Sequence, residues 1–197
     1  MRNDSRESAF LNIPYDDQFT NLYLAYISGL CSFGLTPRAT LEIATGERRL
    51  DRIFHLMTSC LYSFHDLSRV QLDSVAPRTP RFNMPFELGL LLGWRNTRTS
   101  SSHTWFVFES ARRRLQKSLS DLDGTDPLIH DGTVRGVFRE LSNALVKSSY
   151  RPKVRHMNLI YRWIKVASPD ILNSEWGEFT LERSRIQGIG SFGNGLR

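Results

Sequence analysis

Strand-like and helix-like segments alternate along most of this chain, and no other feature of the sequence constrains its fold as strongly. Five short apolar runs are each followed by a pattern of helical spacing. The predicted strands cover residues 9–13, 35–39, 61–65, 104–108 and 127–129. Such alternation favours a parallel sheet wrapped by helices on both faces. We therefore predict an α/β fold, a flavodoxin-like three-layer sandwich with a central parallel sheet of about five strands.

The helical patterns differ in how clearly they begin and end. The first runs from Phe19 to Cys31 and is closed by Gly34, where a C′ glycine belongs. Another is predicted to begin at an Asn83 N-cap, and its Gly89 and Gly93 leave one side bare for close packing on the sheet. The remaining helices are predicted near 47–60, 115–122, 134–145 and 154–164, the last stopping near 168–169.

Length and charge suggest one domain with an appendage. The 197 residues fit one core of up to ~150 residues plus an extension. We place an α/β domain at 1–149 and a basic helix with a flexible glycine-rich tail at 150–197. Net charge is +6, and the last 48 residues carry eight basic and four acidic side chains. We expect a homo-oligomer or a partner protein to dock on this basic C-terminal helix.

Several classes of protein are not expected. No apolar run approaches the ~20 residues of a membrane span, and residues 1–8 are polar, so we predict a cytoplasmic protein without a membrane partner. Cys31 and Cys60 lie in apolar helical patterns, as buried hydrophobes do, and no metal site is predicted. The Gly-x-Gly-x-x-Gly match at 188–193 has too few residues after it for a dinucleotide site. Nucleic acid is not an expected partner, since the aromatic residues follow core spacing.

Parallel sheets bind ligands beyond the carboxyl ends of their strands, which directs attention to a few polar residues. Those ends carry Asn12, Arg38 and Asp66, and the Asn83 helix starts nearby. Glu87 is expected in the first turn of that helix, where free backbone amides keep a carboxylate ionised. An ionised carboxylate can stabilise a sugar cation, although an acid there also simply complements the helix dipole.

Each of the other candidates has a structural alternative. Asp66 either orients a base or ribose, or it caps a turn or pairs with Arg69. His65 points to the opposite face by strand alternation and is predicted to be a core histidine. Arg38, with Arg48 or Arg49, either binds the pyrophosphate of a nucleotide or lies on the solvated surface.

Three motifs together resemble a known group of enzymes. They are Asn12-Ile13-Pro14 after the first strand, Asp66 at a strand end, and Phe86-Glu87-Leu88-Gly89 opening a helix. Their order resembles the nucleoside 2-deoxyribosyltransferases, the related TIR-type NAD-cleaving domains and the uncharacterised bacterial proteins grouped with them. The resemblance covers about 9–147, and the deoxyribosyltransferase stretch Asp-x-Gly-Thr is replaced by residues 80–85.

The resemblance implies cleavage of an N-glycosidic bond in NAD or a related nucleotide, as hydrolysis, cyclisation or ribosyl transfer. It implies that Glu87 and Asp66 are catalytic and meet over the sugar carbon. The implied substrate-binding residues are Asn12, Pro14, Arg38, Ser68 and Asn83. The nicotinamide of NAD is already positively charged, so it leaves without being protonated, and this favours NAD as the nucleotide. NAD is then the substrate and not a cofactor. The resemblance to TIR-like bacterial proteins also implies a role in defence against phage.

Two other functions remain open. The chain is alternatively a non-catalytic nucleotide-sensing or protein-interaction module, which predicts binding without turnover. Direct nucleic-acid binding predicts affinity that falls steeply with salt.

Overall fold

A single parallel sheet forms the centre of the molecule. The computed structural model describes residues 8–14, 16–39, 48–72, 74, 76–98, 102–148 and 150–173, with side chains described up to 166. The strands are β1 (Ser8–Asn12), β2 (Thr36–Ala39), β3 (Tyr62–Asp66), β4 (Thr104–Glu109) and β5 (Leu128–Ile129). Their order is β2-β1-β3-β4-β5, and every neighbouring pair is parallel. This is the flavodoxin-like order, so the predicted fold class is confirmed.

Helices cover both faces of this sheet. They are α1 (Thr20–Ser32), α2 (Arg49–Ser59), α3 (Asn83–Asn96), α4 (Arg114–Ser118), α5 (Val134–Ala144) and α6 (Val154–Asn173). One core joins α1, α5 and α6 to the side of the sheet that carries Leu11 and Phe64. Two smaller cores join α2, α3 and α4 to the opposite side, which carries Phe10 and Val107. Because side chains alternate along each strand, neighbouring residues belong to different layers.

The ends of the first two elements follow the sequence signals. Gly34, with φ of +77°, ends α1, and the amide of Leu35 returns to the carbonyl of Leu30 in a Schellman-type closure. Pro37 is accommodated because β2 is an edge strand, where a missing ladder donor costs nothing.

Helix α3 differs from its prediction in two ways. Phe82, and not Asn83, is the N-cap residue, and it makes no side-chain capping bond. Gly89 and Gly93 face solvent, with no atom within 4 Å of where a Cβ would stand. The buried side of α3 carries Met84, Leu88 and Leu91 instead, at helical spacing. The prediction that the glycines lie against the sheet is therefore wrong.

Helix α6 also departs from its prediction. It continues to Asn173, because a proline such as Pro169 removes one hydrogen bond without having to end a helix. Met157 and Ile164 are buried in the same core as α1, so α6 is packed onto the sandwich. The glycine-rich stretch at 188–193 lies outside the described residues. Within the described residues, none of the helices combines the length and the apolar character needed to cross a bilayer.

Two glycines in helices provide a matched test of this packing. A Cβ at Gly136, in the first turn of α5, would stand 1.8 Å from the carbonyl oxygen of His130, whereas Gly89 has open space. We expect Gly136→Ala to destabilise the fold by about 1–3 kcal/mol or more, because backbone must move. We expect Gly89→Ala to stabilise it by about 0.5–1 kcal/mol through helix propensity. Urea unfolding measures both, and a Gly136→Ala protein as stable as wild type would contradict the packing described here.

Candidate functional site

The candidate site lies where the carboxyl ends of β1 and β3 meet the beginning of α3. Asn12 ends β1, and its Nδ2 donates to the backbone oxygen of Met84, 2.8 Å away. The same Nδ2 lies 2.9 Å from Nδ1 of His65, the residue paired with Asn12 across the sheet. These contacts hold α3 against the edge of the sheet, and Glu87 comes one turn after Met84.

A narrow cleft opens at this junction. Its lining residues are Asn12, Ile13, Arg49, Arg81, Asn83, Met84 and Glu87. Its volume is about 20 Å³, close to the share of one water molecule. Asn12, Met84 and Glu87 form a buried floor, while Arg49 and Arg81 belong to an exposed rim. Any larger ligand therefore requires the rim side chains to move.

Glu87 is the most unusual residue of the cleft. It is only 7% exposed, and among the described residues no hydrogen-bond partner reaches its Oε2. Burial raises the pKa of Glu87 to about 7, and the positive charge of Arg49 acts in the opposite direction. The predicted first-turn position is wrong, because Glu87 is the fifth residue of α3, and burial opposes the ionisation that was expected there. Glu87 changes its protonation state near neutral pH.

Two arginines place positive charge at the rim. Arg49 begins α2, whereas Arg48, the other residue considered from the sequence, is the exposed N-cap before it and does not line the cleft. Arg81 was not predicted as a site residue. Its position just before the helix of Glu87 is the signal that would have identified it. Nε of Arg81 lies 3.9 Å from Oδ2 of Asp16.

Asp66 lies on the other face of the sheet. Its carboxylate accepts hydrogen bonds from the Tyr26 hydroxyl at 2.7 Å and from the amide of Ser68 at 2.9 Å, and also from the Ser68 hydroxyl. Nε2 of His130 lies 3.2 Å from Asp66 Oδ2. Tyr26 belongs to α1 and His130 precedes α5, whereas Glu87 belongs to α3 on the opposite face. Asp66 is therefore fully buried and well partnered, and it does not line the cleft of Glu87.

The expectation that the two carboxylates meet over one sugar carbon is thus corrected. Strand alternation is the physical reason: Phe64 and Asp66 point to the α1 and α5 side, and His65 points to the α3 side. The acid predicted to orient a ligand instead ties β3 to α1 through the Tyr26 hydroxyl.

The remaining predicted residues are divided between places. Asn83 lines the cleft with Asn12 and Glu87. Ser68 binds Asp66, and Pro14 is buried without lining the cleft. Arg38 is half-buried in the edge strand β2, outside the lining of the cleft. The structure brings together three of the seven predicted residues: Asn12, Asn83 and Glu87.

Metal binding and thiol chemistry have little support in the part of the chain that the structure describes. No group of three or more His, Cys, Asp or Glu side chains there is arranged to hold a metal ion. Cys60 is buried and Cys31 half-buried, and burial raises the pKa of Cys31 to about 12, so its thiol stays neutral.

Comparisons of the chain with models of protein families, with curated proteins and with solved structures find no match. The class of the protein is therefore defined by its fold and its cleft. It is a flavodoxin-like α/β protein in which the buried carboxyl group of Glu87, at the carboxyl edge of a parallel sheet, has an oxygen without a hydrogen-bond partner among the described residues.

The raised pKa of Glu87 predicts how stability depends on pH. The folded protein holds a proton on Glu87 up to about pH 7, whereas the unfolded chain releases it near 4.5, so wild type loses stability as pH rises through this window. Glu87→Gln does not titrate. Its stability relative to wild type should rise with pH, by up to about 3 kcal/mol between pH 4 and pH 8. Urea unfolding at several pH values measures this difference.

Glu140 supplies the control for that experiment. It is equally buried, at 7% exposure, but it accepts hydrogen bonds from Arg139 at 2.7 Å and Asn143 at 3.0 Å. Glu140→Gln removes a carboxylate that has hydrogen-bond partners, so it should destabilise the protein instead of stabilising it. A difference between Glu87→Gln and wild type that stays flat with pH would show that Glu87 has an ordinary pKa.

Proposed function

We propose that this protein cleaves the N-glycosidic bond of NAD or a closely related nucleotide, with Glu87 as its catalytic carboxylate. The observation that carries the proposal is the buried Oε2 of Glu87, which has no hydrogen-bond partner among the described residues and lies at the edge of the sheet where such folds bind ligands. A buried polar atom without a partner costs free energy, and a ligand that supplies the partner recovers it. The resemblance of the Phe86-Glu87-Leu88-Gly89 segment supports the same assignment.

The charge of the substrate suits a carboxyl group of this pKa. The nicotinamide ring of NAD is cationic, so its arrival favours the ionised form of Glu87. When the glycosidic bond breaks, its electron pair moves to the ring nitrogen and neutral nicotinamide leaves. The positive charge then resides on the ribose, where a nearby carboxylate stabilises it. Water captures the cation and releases a proton in hydrolysis, and another nucleophile gives cyclisation or transfer.

The rim of the cleft suits the phosphates of such a substrate. Arg49 and Arg81 flank Glu87, and a guanidinium group binds phosphate oxygens in a bidentate manner. The narrow cleft takes the reacting end of the nucleotide only after these exposed side chains turn outward, and the adenosine end then lies across the surface. By analogy with TIR-like bacterial proteins, the proposal includes a cytoplasmic location and a role in phage defence.

Release of nicotinamide from NAD by the purified protein tests this proposal. Glu87→Gln should lower kcat by about 100-fold or more, because it removes the charge that stabilises the sugar cation. Glu140→Gln, the matched control, should retain the wild-type rate. For wild type, kcat/KM should rise with pH and level off above about pH 7, as Glu87 ionises. Undiminished nicotinamide release by Glu87→Gln would refute the role of this carboxylate.

The alternative is a non-catalytic module that senses a nucleotide or binds a protein, and one observation favours it. Leu159, Trp163 and Val166 are exposed on α6, beside the basic side chains of Arg155 and Arg162. An exposed apolar stripe with basic neighbours fits a partner with an acidic surface, and two copies of this basic helix would repel each other. Calorimetry with NAD and ADP-ribose distinguishes the two functions, since tight binding without turnover supports the module.

A further inference from the structure

The orientation of the Asn12 side chain is fixed by what it faces. The backbone oxygen of Met84 can only accept a hydrogen bond, so the atom of Asn12 that lies 2.8 Å from it is the amide nitrogen. That nitrogen also donates to Nδ1 of His65. Both amide hydrogens are therefore used. Among the described residues no hydrogen bond reaches Oδ1 of Asn12, and Asn12 lines the cleft beside Glu87.

A chain of buried hydrogen bonds behind Asn12 enforces this orientation. Because Nδ1 of His65 accepts from Asn12, its proton is on Nε2, which donates to Oγ of Ser63 at 2.9 Å. The Ser63 hydroxyl donates in turn to Nε2 of His103 at 2.9 Å. Nδ1 of His103 donates to the carbonyl oxygen of Cys60 at 2.7 Å. Both ends of the chain are carbonyl oxygens, so the hydrogen bonds run outward from the Asn12 amide nitrogen, which donates on one side to Met84 and on the other to His65.

Both imidazole rings of this chain remain neutral. Burial lowers the pKa of His65 to about 3, and the neighbouring His103 contributes to the shift. Burial also lowers the pKa of His103, against the hydrogen bond to Cys60. A neutral ring has one donor and one acceptor nitrogen, so neither histidine can reverse its role without leaving a buried group unpaired.

We propose that this hydrogen-bond chain holds the amide oxygen of Asn12 towards the cleft, so that the site selects a ligand with an N–H or O–H donor beside the scissile bond. The specificity rests on the proposed cleavage of a nucleotide; the orientation of Asn12 does not. NAD offers two such donors beside that bond, the carboxamide of nicotinamide and the 2′-hydroxyl of the adjoining ribose. Asn12 is then a binding residue, and Ser63, His65 and His103 are positioning residues that touch no ligand.

The orientation is tested without any activity. Nitrogen-15 NMR of histidine-labelled protein reports which ring nitrogen carries the proton. We expect His65 to be protonated on Nε2 alone and to remain so from about pH 5 to about pH 8, because its pKa is far below this range. A proton on Nδ1, or an imidazolium within this range, would overturn the inference even if the protein cleaves NAD.

The specificity is tested with two analogues of NAD. In one, a methyl ketone replaces the nicotinamide carboxamide, and in the other the nicotinamide ribose lacks its 2′-hydroxyl. Wild type should use one of them at least about 10-fold less well in kcat/KM, because Asn12 Oδ1 is left without a donor. The analogue with the lower kcat/KM identifies which donor hydrogen-bonds to Oδ1 of Asn12. Equal use of NAD and both analogues would overturn the inference.

Variants of His65 separate positioning from folding. In His65→Leu the acceptor for one amide hydrogen of Asn12 is lost and only the hydrogen bond to Met84 still holds the amide, so the preference for NAD should weaken. In His65→Asn an amide oxygen takes about the place of Nδ1, and the preference should return. Ser63→Ala is the second variant should His65→Leu not fold, and it should weaken the preference. A folded His65→Leu or Ser63→Ala protein with the full wild-type preference would overturn the inference.

If wild type releases no nicotinamide, the proposed function fails by itself. The same comparison is then made by calorimetry, with NAD and the two analogues as binding ligands. Weaker binding of one analogue, with a smaller difference in His65→Leu, supports the inference without catalysis. Equal binding of all three overturns it.

Discussion

The two hydrogen bonds donated by the Asn12 amide connect the fold of this protein to its candidate site. One joins the end of β1 to His65 in β3, and the other joins it to the Met84 carbonyl in the first turn of α3. Both hydrogen bonds are buried, and breaking either one would leave a buried polar group unpaired. The start of the helix is therefore fixed relative to the strand ends. The position of Glu87 follows from that connection, because one helical turn separates it from Met84.

The sheet divides the buried acids into two environments with different consequences. Asp66, on the side of α1 and α5, is surrounded by the donors of Tyr26 and Ser68, and such a carboxylate stabilises the elements that it joins. Glu87, on the side of α3, has an oxygen that no hydrogen-bond partner reaches in the described part of the chain, and it carries the cost of burial. A group that costs stability where it stands is the better candidate for binding and catalysis. The contrast in hydrogen bonding, more than the presence of two acids, distinguishes Glu87 from Asp66.

The sequence predicts the architecture of this protein better than its site. Strand and helix periodicity is a local property, and it was sufficient for the order of the elements and for the opposite directions of His65 and Asp66. Whether Asp66 finds a partner beyond its own turn depends on Tyr26, which is 40 residues away in the chain and reaches Asp66 only in the folded core. The pKa of Glu87 likewise depends on its burial, which no local pattern reports. The spacing of residues in the sequence could not reveal the hydrogen bonding of Asp66 or the pKa of Glu87, because both depend on contacts with elements that are distant in the chain.

The most direct measurement is a crystal structure of the protein with ADP-ribose bound. The account predicts that the anomeric carbon of the ribose lies on the α3 side of the sheet, in contact with the Glu87 carboxyl group, with the phosphates near Arg49 and Arg81. Oδ1 of Asn12 then accepts a hydrogen bond from the ligand. A ribose bound on the α1 and α5 side, near Asp66, or in another groove with Oε2 of Glu87 still unpartnered, would contradict the assignment of the site.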